Sequence, residues 1–373
     1  MSGYNLINGY PGSKAAWAAR LLAMFNTKGK IYLEPFVGGG SMVLSLPKGR
    51  FEKEIINDKN FGLALMYKCL VDENRRNPVM NALLSIERSP DKEIGREIWN
   101  RAKKEYIYDV RLANKEDSVK NCVNAFTVYS QSFNSAGTSY SHHKTPDKYK
   151  KEVKRNLTKV VEILKDKKDL EVYSGDALGL IRKYKDNPDV QMFLDPPYVG
   201  LYSCSRENYP VKMVSLRQHI DMLMELRNCK ASVVLCGYRP VDGIPCIYDA
   251  ILSKENWHCF KLSKTFNKAQ VLKLGDKRLP CVEYIWTNHV PERAGYHVEL
   301  YDYKESITWD RYWKKIVDCL HEGLITPRDM MEYCEAYEWF YTEFYGEPKE
   351  LVSVEEFNKI HEEARKAKKK KKK

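Results

Sequence analysis

The sequence predicts an α/β protein built on a doubly wound, mostly parallel twisted sheet, and three observations lead there. A short apolar run, Ile31 to Phe36, passes into a glycine turn and then a helical pattern from Met42 to Leu46. That strand–turn–helix unit opens such sheets. Runs of the same kind recur at Glu54 to Asp58, Leu170 to Asp176 and Val190 to Asp195, and each stops on an acid. From Leu63 to Lys168 the alternation gives way to helical spacing, so an insertion is expected between the second and third strands.

Composition narrows the class. At 373 residues the chain is long enough for two or three domains with real cores. Apolar residues make up 43% and charged residues 30%, as in soluble globular proteins. No apolar stretch approaches the roughly 20 residues that span a bilayer, and the start lacks a basic region followed by an apolar one. Ten scattered cysteines without a C-x-x-C pair argue against a zinc knuckle or a disulfide framework and fit a reducing cytoplasm. Of the net charge of +12, Arg365, Lys366 and Lys368 to Lys373 supply eight, leaving about four for the rest. Residues 63–169 hold 22 Lys or Arg against 15 Asp or Glu, so an internal zone and a tail both favour a polyanionic partner.

In chain order, Tyr10-Pro11-Gly12-Ser13-Lys14 is a turn that opens a helix, with Trp17, Leu21, Leu22 and Phe25 at helical spacing to Asn26. The loop Val37-Gly38-Gly39-Gly40-Ser41 lacks the G-K-[ST] ending of a phosphate loop and does not fit G-x-G-x-x-G. Its glycines allow a ligand close to backbone. About twenty residues on, Asp58 ends the second strand, where dinucleotide folds place a ribose-binding acid; a plain Asn-Asp turn is the alternative. The insertion reads as helices at 63–70, 79–86, 94–108 and 149–165, with an aromatic and polar loop or hairpin from Ala125 to Tyr140 followed by His142-His143-Lys144. Adjacent histidines suit chelation poorly, so no metal site is expected. After Asp176 and Asp195, the segment Val199 to Pro210 reads as a mobile loop, Ser215 to Leu226 as an amphipathic helix, and Tyr248 to Trp257 as another helix. Ser232 to Tyr238 and Val282 to Asn288 read as late strands. From Pro291 onward the pattern is helical and aromatic, ending in the lysine run.

Asp195-Pro196-Pro197-Tyr198 carries the most chemistry. The two prolines fix φ and donate no N–H, so a carboxylate, rigid carbonyls and a ring stand together at a strand end. That tetrapeptide, with Glu34-Pro35-Phe36-Val37-Gly38-Gly39-Gly40-Ser41 and the aromatic-x-Gly-x-Lys segment at Tyr10 to Lys14, resembles the Dam-like (D12 class) adenine-N6 DNA methyltransferases over about residues 1–290. The resemblance implies a Rossmann-like, S-adenosylmethionine-dependent methyltransferase fold in two parts, 1–62 and 170–290. It implies an inserted, mainly helical target-recognition domain at 63–169, while 291–373 is left as a helical extension.

By the same resemblance Tyr10 and Lys14 line the S-adenosylmethionine site. Glu34, Phe36, Gly38 and Gly40 wrap the methionine part, Asp58 bonds the ribose, and Asp176 accepts from the cofactor's adenine. Asp195, which also borders the cofactor, and the Pro196 carbonyl accept the target amino hydrogens, with Pro197 stiffening the loop and Tyr198 stacking on a base flipped from double-stranded DNA. Tyr129, Gln131, Ser132, Phe133, Asn134, Tyr140, His142 and Lys144 are the implied DNA contacts. Phe133-Asn134 resembles the Phe-Asn of the family's recognition hairpin, whereas its neighbours depart from it. A cytoplasmic, nucleoid-associated enzyme follows, solitary or paired with a cognate restriction endonuclease. The competing readings are a cytosine-N4 or RNA methyltransferase, a nucleic-acid-binding protein without turnover, and a nicotinamide enzyme. Relatives that methylate cytosine N4 usually carry Ser at the first position of the tetrapeptide and those that methylate protein glutamine carry Asn, so Asp195 favours adenine.

Overall fold

The computed structural model describes residues 3–86, 89–109, 111, 118–142, 146–199, 216–239, 246–252, 256–265, 272–274, 277–279, 281–291, 299–300, 309–322, 330–331, 333–334, 359 and 362. The expected loop at Val199 to Pro210, beyond Val199 itself, lies outside them, as do His143, Lys144 and the lysine tail.

The strands are β1 (Ile31–Glu34), β2 (Lys53–Asn57), β3 (Glu171–Tyr173), β4 (Val190–Leu194), β5 (Ser232–Tyr238), β6 (His258–Thr265), β7 (Leu272–Leu274), β8 (Lys277–Leu279), β9 (Cys281–Thr287) and β10 (Glu299–Leu300). Eight of them form one sheet among the described residues, in the order β10-β6-β9-β5-β4-β1-β2-β3, while β7 and β8 pair apart. The run β3-β2-β1-β4-β5 is parallel, and β9 lies antiparallel between β5 and β6.

Both faces of this sheet are covered, which is why β4 and β5 are buried along their whole length and mostly apolar, Gln191 and Ser232 being the polar exceptions. Side chains alternate between two cores with the period of two that a strand imposes. Tyr32, Ile56, Phe193, Val234 and Ile285 face one core; Leu33, Ile55, Met192, Val233, Leu235 and Trp286 face the other. The first core is closed by α1 (Ala18–Ala23), α2 (Phe61–Val71), α3 (Glu73–Leu84), α4 (Lys92–Glu105), α5 (Ser118–Ser130) and α6 (Pro146–Lys165). The second is closed by α7 (Ala177–Tyr184), α8 (Leu216–Leu226), α9 (Ile247–Ile251) and α10 (Trp309–His321). The inserted helices therefore share a core with the sheet. Ile316, Leu320, Met330 and Tyr333 likewise join residues beyond 291 to it.

The expected helices are present with shifted ends. The α3 helix starts before Pro78 instead of after it. Asp72 caps its first turn by accepting from the N–H of Asn74 and Arg75, and Arg76 donates to the carbonyls of Leu70 and Val71. These bonds anchor the start, so the chain tolerates the hydrogen bond that Pro78 removes. The first part of the segment expected as a loop from Ala125 to Tyr140, up to Ser130, is the end of α5. The helix expected at Lys14 to Asn26 shrinks to α1, α9 covers the start of the one expected at Tyr248 to Trp257, of which residues 253–255 lie outside the described ones, and Met42 to Leu46 is a single tight turn.

Strand order reverses between β1 and β4, because β1 leads outward to β2 and β3 while β4 leads to β5. Open α/β sheets bind ligands in the crevice beyond the carboxyl ends of the strands at such a switch point.

Candidate active site

The strand-end acids meet at that crevice. Glu34 ends β1, Asp58 follows β2, Asp176 follows β3 and Asp195 follows β4. They border a cavity of about 450 Å³ lined also by Tyr10, Phe36, Gly38, Asn60 and Leu178. Five carboxylates, counting Asp221 of α8, line it against two cations, Lys59 and Arg182. Lys59 is paired with Asp176 and Arg182 with Glu225. A diphosphate would be repelled from such a wall, which counts against a nicotinamide dinucleotide, whereas a cationic nucleoside is welcomed.

Each acid also builds its own wall. Asp58 accepts from the N–H of Gly38 at 2.9 Å and of Asn60 at 2.7 Å, fastening the glycine loop to the second strand. Burial pushes its pKa up to about 6, against the pull of those two N–H groups. Asp176 caps α7 by accepting from the N–H of Leu178.

Among the glycines, Gly40 is constrained most. Its φ is +71°, and a Cβ there would lie 2.1 Å from the hydroxyl of Tyr67, which donates to the carbonyl of Gly38. Gly40→Ala is expected to displace Tyr67 and strain the loop, costing roughly 1–3 kcal/mol in the backbone alone. Thermal unfolding and a cofactor titration check this, with affinity expected to fall at least about tenfold for a loss of 1.4 kcal/mol.

Asp195 sits in a buried network that the resemblance does not describe. Its Oδ2 accepts from Lys14 Nζ at 2.8 Å and its Oδ1 from the Tyr198 hydroxyl at 2.9 Å. Both donors reach a second carboxylate, Glu283 of β9: Lys14 Nζ lies 3.1 Å from its Oε1 and the Tyr198 hydroxyl 2.8 Å. Lys14 also donates to the carbonyl of Gly12 and is 1% exposed. Burial alone would lower the Lys14 pKa, but Asp195 and Glu283 hold it well above the ordinary value. Burial raises Asp195, opposed by the charge of Lys14 and reinforced by Glu283. Lys14, expected to line the cofactor site, and Gly40 thus stand behind the cavity wall. The Tyr198 ring meets the edge of Tyr238, with centroids 4.3 Å apart.

Glu283 escaped the sequence reading. The available signal was an acid in a strand otherwise free of charged residues. Glu283 shares a face with Ile285, and its register opposite Tyr238 brings it beside the end of β5.

Glu34 is 2% exposed, and burial pushes its pKa up to about 8 despite hydrogen bonds from the Tyr32 hydroxyl and the Val43 N–H. A carboxyl whose folded pKa lies above its unfolded value holds its proton more tightly when folded. Stability is therefore lost as pH rises from about 4.5 to about 8, at roughly 1.4 kcal/mol per pH unit. Glu34→Gln is expected to flatten this slope, and urea midpoints of the cofactor-free protein at pH 6 and pH 9 measure it.

Of the residues expected at DNA, Tyr129, Gln131 and Ser132 are buried, so they support the loop from beneath. Tyr129 bonds to Asn60, and the Ser132 hydroxyl accepts from the N–H of Gly137. Phe133 is 59% exposed, and Asn134 and His142 are exposed as well. Asn134 and Ser135 both have positive φ, 51° and 53°, on a tip held by Ser135 donating to the Asn8 carbonyl. Tyr140 is half-buried with its ring against Trp99. Among the described residues no group of three His, Cys, Asp or Glu side chains could hold a metal, and no helix is long and apolar enough to cross a membrane.

The strand order, the crevice at the switch point and the acid-lined cavity define a Rossmann-like α/β protein of the S-adenosylmethionine-dependent methyltransferase fold. Residues 10–258 match the D12 class N6 adenine-specific DNA methyltransferase family, and the chain belongs to that family. It is similar to the Type II methyltransferase M.MjaIII of Methanocaldococcus jannaschii, with 28% identity over 187 residues. The alignment covers 47% of this chain and 61% of that relative, less than two thirds of its length.

Proposed function

We propose that the protein transfers a methyl group from S-adenosylmethionine to the N6 amino group of an adenine turned out of duplex DNA. The observation that carries this reading is the position of Asp195. It borders the cofactor-sized cavity on one side and bonds Tyr198 on the other, at the switch point of the sheet. S-adenosylmethionine would supply an activated methyl on a sulfonium. Glu34, Asp58, Asp176 and the backbone of the glycine loop would hold it, and the negative charge of the aspartates suits a cation.

The remaining work belongs to Asp195 and its loop. The amino nitrogen of adenine is a poor nucleophile because its lone pair is delocalised into the ring. Asp195, with the carbonyl of Pro196, accepts hydrogen bonds from that group, draws the nitrogen toward sp³ and offsets its growing positive charge. Pro196 and Pro197 keep the acceptors stiff, and Tyr198 packs against the base. Unstacking the base costs a few kcal/mol, and contacts from the exposed tip at Phe133 and Asn134 and from basic side chains to phosphate offset it. A role as the modification half of a restriction–modification system, with a cognate endonuclease as partner, is supported by the likeness to a Type II methyltransferase.

Incubation with methyl-labelled S-adenosylmethionine and unmethylated duplex DNA tests the reading. Label is expected in the DNA. Cofactor binding without label in any DNA duplex would overturn it.

A further inference from the structure

We infer that Glu283, twenty-five residues beyond the end of the family match, is a positioning residue that makes Asp195 available to the substrate. The inference rests on the proposed methyl transfer. In the structure each oxygen of Asp195 lies against a donor of the chain itself, Lys14 Nζ on Oδ2 and, on Oδ1, the Tyr198 hydroxyl, whose single proton Asp195 shares with Glu283. An amino group cannot bond Asp195 well while both donors hold it.

Letting them go would ordinarily be costly, since a buried ammonium or hydroxyl without a partner loses its hydration for nothing. Glu283 removes that obstacle. It already lies within 3.1 Å of Lys14 Nζ and 2.8 Å of the Tyr198 hydroxyl, so both donors keep an acceptor when they leave Asp195. Its own side chain is 8% exposed, against 18% for Asp195. The open carboxylate therefore faces the substrate and the closed one faces the protein. One ammonium between two carboxylates leaves a single negative charge for the base, and Glu283 is where the ammonium is retained.

The charged and titratable groups around the pair are Lys14 before α1, Glu34 on β1, Asp195 and Tyr198 after β4, Cys236 and Tyr238 on β5, and Tyr248 on α9. Of these, Lys14 and Tyr198 touch Glu283 directly.

The test compares the unsubstituted protein with Glu283→Gln and Glu283→Asp. Glutamine keeps the shape and an acceptor but loses the charge that retains Lys14, so Lys14 stays on Asp195. The expected result is a kcat about 30-fold lower with KM values for cofactor and DNA within about threefold. The acid limb of the kcat profile should also move to lower pH, because a neighbouring negative charge has been removed from Asp195. Aspartate, which restores the charge, is expected to recover part of kcat and to return the acid limb toward its original position. A fall in kcat that follows loss of thermal stability, with the acid limb unmoved, would leave Glu283 a merely structural residue and overturn the inference. Unchanged kcat in Glu283→Gln would overturn it too, while the methyl transfer itself stands. No methylation by the unsubstituted protein would overturn the proposed function, and this inference with it.

Discussion

Asp195→Ala is expected to abolish methyl transfer, lowering kcat by at least about 10³-fold, while the protein stays folded. Removing one preorganised group that stabilises developing charge costs about 10²–10³-fold in well-studied sites. Here both the hydrogen-bond acceptor and the negative charge are lost. Folding survives because neither partner is abandoned: Lys14 and Tyr198 keep their bonds to Glu283. Cofactor and DNA affinities should change by less than about tenfold, under 1.4 kcal/mol. Single-turnover methylation alongside equilibrium titrations separates the two effects. Turnover near that of the unsubstituted protein would remove Asp195 from the chemistry.

Lys14→Met should act on stability, and in a pH-dependent way. Methionine fills much of the same volume but leaves Asp195 and Glu283 facing each other in a buried site with one hydroxyl between them. Breaking a buried ion pair by removing one partner costs about 3–5 kcal/mol. Without the Lys14 charge, burial and the neighbouring carboxylate raise the Asp195 pKa further above that of the unfolded chain. With its folded value above the unfolded one, stability is kept at low pH, where Asp195 is protonated in either state, and is lost as pH rises through neutrality. The variant should therefore unfold at nearly the same urea concentration as the unsubstituted protein near pH 5 and at a clearly lower one at pH 8. Equal destabilisation at both values would mean that Lys14 matters for packing and not for charge.

The parallel half of the sheet was legible because its strands are short apolar runs that stop abruptly on an acid. A strand covered on both faces has no polar alternation to hide it, and the acid marks where it reaches the ligand edge. Asp58, Asp176 and Asp195 thus fall at one rim on the pattern of the sequence alone, and the structure brings all three to the same cavity. The α5 helix was not legible, because it is buried nearly all round, with polar Asn121, Asn124, Thr127 and Ser130 interleaved among the apolar Cys122, Ala125, Phe126 and Tyr129. Asn121 is 2% exposed and satisfied by the backbone of Ile107, Asn124 is buried, and Tyr129 bonds Asn60. Hydrogen bonds satisfy Asn121 and Tyr129, and such buried polar side chains blur the apolar stripe that periodicity detects. Nor was the partnership of Lys14 with Asp195, 181 residues apart, open to any local pattern. Glu283 is a similar case. An acid on the inward face of a strand is conspicuous, but its partners come from two remote segments that only the folded sheet brings together.

The most direct measurement is the identity of the methylated nucleoside. DNA exposed to the protein and methyl-labelled S-adenosylmethionine would be digested to nucleosides, and the label located by mass. N6-methyldeoxyadenosine is the result that the position of Asp195 and the family both lead to expect. Label in N4-methyldeoxycytidine would keep the fold and the cofactor but contradict the assignment of adenine as the base held by Asp195.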